Sequence, residues 1–126
     1  MNGWEDWMPS TLVADSITRL SATHRGHVVV AGSHGGIYCG YLAARAGLRG
    51  VILNDAGVGK DKAGIGALNY LDRLGLAAAS VGHLSARIGD GADMVERGRI
   101  SHANRAARAL GCAIGQACWD AATAML

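Results

Sequence analysis

Phenylalanine is absent from this sequence, proline occurs once, and aromatic residues of all kinds make up only 5% of it. A core must therefore be assembled from Ala, Val, Leu and Ile among 19 glycines. Small side chains each bury little apolar area, at about 25 cal/mol per Å². A chain of 126 residues so composed is expected to gain from association, as a homo-oligomer. No apolar run approaches the roughly 20 residues of a membrane helix, so no membrane partner is expected. The formal charge is only +2 and there is no basic run, which argues for a small-molecule substrate and against nucleic acid. The first nine residues are acidic and aromatic, unlike a signal peptide.

Cysteine and histidine are equally uninformative as metal ligands. Cys39, Cys112 and Cys118 are an odd count with no CxxC spacing, which fits a reducing, cytoplasmic setting. Five histidines show neither H-x-x-x-H nor H-x-H, so no metal is expected. The segment Gly57-Val58-Gly59-Lys60 lacks the leading Gly and the following Ser/Thr of a phosphate-binding P-loop, and no cofactor is expected.

What the chain does have is a repeated alternation of short apolar runs with turn formers. Thr11–Ala14, Val28–Val30, Gly50–Leu53 and Leu76–Val81 read as strands, the last unusually rich in Ala. Ile37–Ala46 reads as a helix whose Gly36, Gly40, Ala43 and Gly47 leave one smooth side, with Gly47 ending it. Asp61 is placed to cap a helix carrying Ile65, Leu68, Leu71 and Leu74. Further helices are expected from Ile17, over 92–97, over 102–110 behind a Ser101 cap, and over 116–126. Trp4, Trp7 and Met8 form an apolar cluster suited to capping the core or a subunit contact. Arg97, Arg99, Arg105 and Arg108 suggest a solvated or intersubunit basic face. The expected architecture is a single α/β domain over 1–126. It has three layers, with a mainly parallel sheet of four or more strands and helices on both faces.

In a parallel sheet all strand endings share one edge, where α/β proteins place their chemistry. The endings here are Asp15-Ser16, Ser33-His34-Gly35-Gly36 and Asn54-Asp55-Ala56-Gly57, with a fourth run leading to His83, Ser85, Arg87 and Asp90. Turn formers alone would explain each ending singly. The presence of His34, Lys60 and Arg87 among them points to a shared crevice.

The stretch Val28–Gly57 resembles the nucleophile-elbow segment of α/β-hydrolases, in which a strand runs into G-x-S-x-G-G and then a small-residue helix and a second strand. Ala31-Gly32-Ser33-His34-Gly35-Gly36 follows that pattern with Ala in place of the first Gly. The resemblance covers about thirty residues and implies hydrolysis, with Ser33 as nucleophile and the His34 N–H as an oxyanion donor. The family's order of Ser, acid and His would be filled by Ser33, Asp90 and His102, with Asp55 and His83 as alternative partners.

Without the resemblance, the same loop offers backbone N–H groups at Gly35 and Gly36 to an anion, with Ser33, Asn54 and Ser85 as hydrogen-bonding groups. Lys60 and Arg87 would then clamp a phosphate or carboxylate. His34 and Asp55 would support proton transfer on a small carboxylate, as in a lyase or isomerase. A non-catalytic anion-binding or assembly module is the reading from another class.

Overall fold

The computed structural model describes residues 7–126, so Trp4 of the expected N-terminal cluster lies outside the described residues. Five strands form one sheet in the order of the chain: β1 (Thr11–Ala14), β2 (Val28–His34), β3 (Gly50–Asn54), β4 (Ala77–Val81) and β5 (Ile100–Ala103). The first four run parallel and β5 is antiparallel to β4. The helices are α1 (Ile37–Arg45), α2 (Gly66–Asp72), α3 (Gly91–Arg97), α4 (Arg105–Ala109) and α5 (Cys118–Met125).

The alternation of side chains along each strand sorts the core into two layers. Val29, Ala31, Val51, Leu53 and Ala78 face α1 and α2, where Leu42, Ala43, Ala67 and Leu71 meet them. Val28, Val30, Ile52, Ala79 and Val81 face Met94 of α3, Ala107 of α4 and Ala121, Ala122 and Met125 of α5. The central strands are buried on both faces, which is why they read as unbroken apolar runs. Small residues let the layers approach closely. An added Cβ at Gly40 would lie 3.0 Å from Ala67 Cβ, so α1 rides directly on α2.

Several expected elements differ. The segment from Ile17 is two separate 3-10 turns, Ile17–Arg19 and Ala22–His24, capped by Ser16 and Ser21. Asp61 caps no α-helix, because Asp61 and Lys62 both sit in the left-handed region at φ 54° and 59°. A 3-10 segment (Lys60–Ile65) comes first and α2 begins only at Gly66. Ser101 is no cap but a strand residue, since pairing of Ile100–Ala103 with β4 overrides the local helical reading. The cap is Asn104. Its Oδ1 accepts from Ala107 N–H at 2.9 Å and Ala78 N–H at 3.1 Å, and its Nδ2 donates to the carbonyls of Leu76 and Leu68. One buried amide thus joins β4, the end of α2 and the start of α4. Of the N-terminal aromatic cluster, Trp7 packs its ring over Gly26 and 5.4 Å from the His27 ring.

At the carboxyl edge the loops touch backbone to backbone. A Cβ at Gly64 would collide with the carbonyl of Asp55, and one at Gly32 would come 2.6 Å from the Asp90 nitrogen and 2.8 Å from the Asp15 oxygen. Substituting Gly64 by Ala is therefore expected to cost about 3 kcal/mol or more. Ala at Gly75, whose φ is +71° with open space around it, should cost only about 1–2 kcal/mol. Urea unfolding of the two variants checks the contrast.

Candidate functional site

The four parallel strands release their polar tails along one edge, as the chain's pattern of endings requires. A strap from Gly82 to Asp90 then lies across them. Gly89 N–H donates to Gly32 O at 2.7 Å, Asn54 Nδ2 donates to Ala86 O at 3.1 Å, and His83 N–H donates to Asp55 Oδ1 at 3.0 Å. Arg87 N–H donates to Asp93 Oδ2 at 2.7 Å, which ties the strap to α3.

Between strap and sheet, the loop after β3 takes an unusual path. Ala56, Val58, Asp61 and Lys62 all have positive φ, together with Gly57 and Gly59. Val58 at φ +68° is the most telling, because a β-branched side chain is strongly disfavoured there. The conformation is over-determined by its neighbours. Asn54 Oδ1 accepts from Ala56 N–H, Asp55 Oδ1 from Gly57 N–H, Asp55 O from Val58 N–H and Val58 O from Gly64 N–H.

Asp55 is the hub of this region, at 5% exposure. Burial opposes its charge, but hydrogen bonds from Gly57 N–H and His83 N–H, with the nearby Ser101 hydroxyl and the His83 imidazole, outweigh it and hold the carboxyl below its ordinary 3.8. His83 Nδ1 lies 3.4 Å from Asp55 Oδ1 while about half of the His83 side chain faces solvent. Ser101 also lies 3.1 Å from His102 Nδ1, and its oxygen is 2.9 Å from that of Ser80.

His34 sits at the end of β2 and faces two cavities. One, of about 520 Å³, is bounded by Gly36, Ile37, Tyr38, Val58 and Lys62. The other, of about 370 Å³, lies between Asp15, Ser16, Ser33, Cys39 and Ile88. Gly36 N–H donates to His34 Nδ1 at 3.1 Å, and a Cβ at Gly36 would come 2.8 Å from the imidazole. Because Nδ1 accepts, the ring hydrogen of neutral His34 is on Nε2. Cys39 Sγ lies 4.0 Å from both ring nitrogens. Its thiol is pushed up by burial, as is that of Cys112, and Cys118 is pushed up to about 12.

The expected site residues divide accordingly. Ser33, His34 and Asp55 do share the edge, with His83 beside Asp55. Ser33, Asp90 and His102 do not form a triad. Ser33 Oγ accepts from Ile17 N–H at 2.8 Å and donates to Ser16 Oγ at 3.5 Å, and no imidazole is among its partners. Asp90 caps α3 by accepting from Asp93 N–H. His102 is on β5, three strands from Ser33, about 14 Å away by strand spacing alone.

The proposed anion cradle is also closed. Gly35 N–H donates to Asn54 O and Gly36 N–H to His34, so neither is free. Asn54 is fully buried and Ser85 joins Gly82 O to Arg99 N–H, so both serve the scaffold. Lys60 and Arg87 are exposed and form no ion pair among the described residues. Reading from sequence passed over Ser101, whose only local signal was its resemblance to a cap.

No protein-family model, curated protein or solved structure matches this chain. Among the described residues no group of three or more His, Cys, Asp and Glu is arranged to hold a metal, and no helix is long and apolar enough to cross a membrane.

Since the folded carboxyl of Asp55 titrates below its unfolded value, it contributes stability above about pH 4 that is lost as pH falls through its folded value. Asp55→Asn is expected to be about 1–3 kcal/mol less stable at neutral pH. The gap to wild type should close in acid, as read by urea unfolding at a series of pH values. With all three cysteines free and buried, a disulfide reagent should leave the native chain unmodified and react on unfolding.

Proposed function

We propose that this protein is an enzyme that moves a proton on a small carboxylate substrate, in the manner of a lyase or isomerase, at the rim formed by β2, β3 and β4. The observation that carries the reading is that two imidazoles on this rim are held in opposite senses. Gly36 N–H on Nδ1 leaves His34 presenting Nε2–H, a donor, toward the cavities. Asp55 beside Nδ1 of His83 favours a hydrogen there, leaving Nε2 of that ring as an acceptor.

An acid and a base with separate partners are what proton abstraction next to a carboxylate or carbonyl needs. His34 would polarise the substrate oxygen and stabilise the charge that develops there. His83, oriented by Asp55, would take the proton from carbon. Strand spacing puts the ends of β2 and β4 about 10 Å apart, which a substrate of several atoms spans. The larger cavity offers Ile37, Tyr38 and Val58 to its apolar part and Lys62 to its negative end. The strained Ala56–Gly59 turn lines the cavity at His34, and a Cβ at its Gly57 would lie 3.5 Å from the His83 ring.

Hydrolysis through Ser33 is less well supported. A serine nucleophile needs a base to take its proton. Ser33 instead accepts from Ile17 and faces Ser16. Its role in this reading is to fix the β1 loop beside the site.

Self-association and a reducing, cytoplasmic setting remain part of the proposal. Ile37, Tyr38 and Tyr41 leave α1 with an exposed apolar face at 61%, 65% and 44%, next to the larger cavity. Size-exclusion chromatography at micromolar concentration should show more than one chain per particle.

The chemistry is tested by incubating a panel of small 2-hydroxy, 2-oxo and unsaturated carboxylates with the protein in D₂O and following deuterium at carbon. Wild type should catalyse exchange into at least one of them. His34→Gln and His83→Gln should each lose about 10²-fold or more, with Ser33→Ala close to wild type. Exchange that survives both histidine changes, or labelling of Ser33 by a fluorophosphonate, would overturn the assignment.

A further inference from the structure

On the other side of the β1 loop from Ser33 lies a cavity of about 320 Å³ that the acid–base reading does not use. It is lined by Leu20 and Leu42, by the hydroxyl residues Thr18 and Ser21 and by Arg25 and Arg45, with the buried Ile17 beneath. Among the described residues no acidic side chain lines it. Among the described residues neither guanidinium has a carboxylate within ion-pairing distance.

Both arginines are exposed, and each has one neighbour against its guanidinium. Arg25 lies along Gly47, where an added Cβ would come 2.6 Å from Nη1, so glycine there makes room for the guanidinium. Gly47 also has φ +71° and its carbonyl accepts from Gly26 N–H at 2.9 Å, which fixes the chain on which Arg25 stands. The guanidinium carbon of Arg45 lies 5.8 Å from the centre of the Tyr41 ring. An anion held by both guanidinium groups would offset their like charge. Planar guanidinium groups suit the two oxygens of a carboxylate.

We infer that this cavity, lined by Arg25 and Arg45 together with Leu20 and Leu42, is a second binding site that takes a small carboxylate with an apolar body. It stands apart from the acid–base reading, because neither His34 nor His83 lines it. It is nonetheless a neighbour of that site. Ile17, Thr18 and Leu42 line both this cavity and the one beside Ser33. The Ile17 N–H is the group that Ser33 Oγ holds at 2.8 Å. An occupant touching Thr18 therefore lies one residue from the group that positions Ser33.

The test uses benzoate as the probe and benzyl alcohol as its uncharged counterpart, with the amide resonances of the full chain as the readout. Benzoate should shift the amides of Ile17, Thr18 and Ala46 saturably, and benzyl alcohol should not. Arg25→Gln and Arg45→Gln should each weaken benzoate by about tenfold or more, as expected for loss of a charge-assisted hydrogen bond. Arg97→Gln, on α3, should leave it unchanged, as should His34→Gln.

Both arginines are on the surface, so an otherwise unchanged amide spectrum shows each variant is folded. Three results would overturn the proposal: no saturable shift at these amides, equal binding of benzyl alcohol, or binding untouched by either arginine change. Loss of benzoate binding in His34→Gln would also overturn it, by moving the probe to the cavities at His34.

Discussion

Close approach of one backbone to another at the carboxyl edge is the constraint on which the rest of this structure depends. Gly32 meets the main chain of Asp15 and Asp90, Gly35 that of Gly64, Gly91 that of Ala14, and Gly64 that of Asp55 within its own turn, each leaving no room for a Cβ. This stacking presses the segment 55–64 against the end of β2 and the strap 82–90 against β1 and β2. The imidazoles, carboxylate and hydroxyls of the rim are then carried by backbone that cannot shift independently. High glycine content costs conformational entropy on folding, and here that cost is offset by a rim in which four loops set one another's positions.

Within that frame two buried polar side chains do different work. Asn54, with no exposed surface, satisfies Ala56 N–H on one side and Ala86 O on the other, so it joins two loops while meeting nothing from outside. Asp55 next to it makes similar links but also reaches an exposed imidazole. The difference of one residue along the chain, and hence of the face to which the side chain points, separates a scaffold amide from a carboxylate that can influence chemistry. At the opposite edge Asn104 plays the scaffold part alone, with all four of its amide hydrogen-bonding links made to main chain.

The four parallel strands and α1 were legible in the sequence because each is a short apolar or small-residue run closed by residues that end strands or helices. The common edge followed from that pattern. β5 was not legible, since Ile100-Ser101-His102-Ala103 has one large apolar residue and becomes a strand only through its partner β4. The left-handed turns at Asp61 and Lys62 were hidden for a similar reason, as packing of Gly64 under Asp55 decides them. Among the residues at this edge, the placing of His34, Asp55 and His83 together followed from their positions after the strands. The partners of Ser33, Ser85 and the two glycines after His34 were not legible, because composition does not reveal whether a polar group already has a partner within the chain. Ser33 is held by Ile17, and Ser85 by Gly82 and Arg99.

The order of the strands across the sheet is also their order along the chain. Each new strand therefore docks beside the one made just before it, and no pairing has to wait for a distant segment. Pairing is thus between consecutive strands throughout, although each parallel pair is closed only across an intervening crossover. It also gives the sheet a direction of growth. β5, turning back against β4, brings it to an end, and the bridge between Arg99 and Ala117 extends that closing edge toward the final helix.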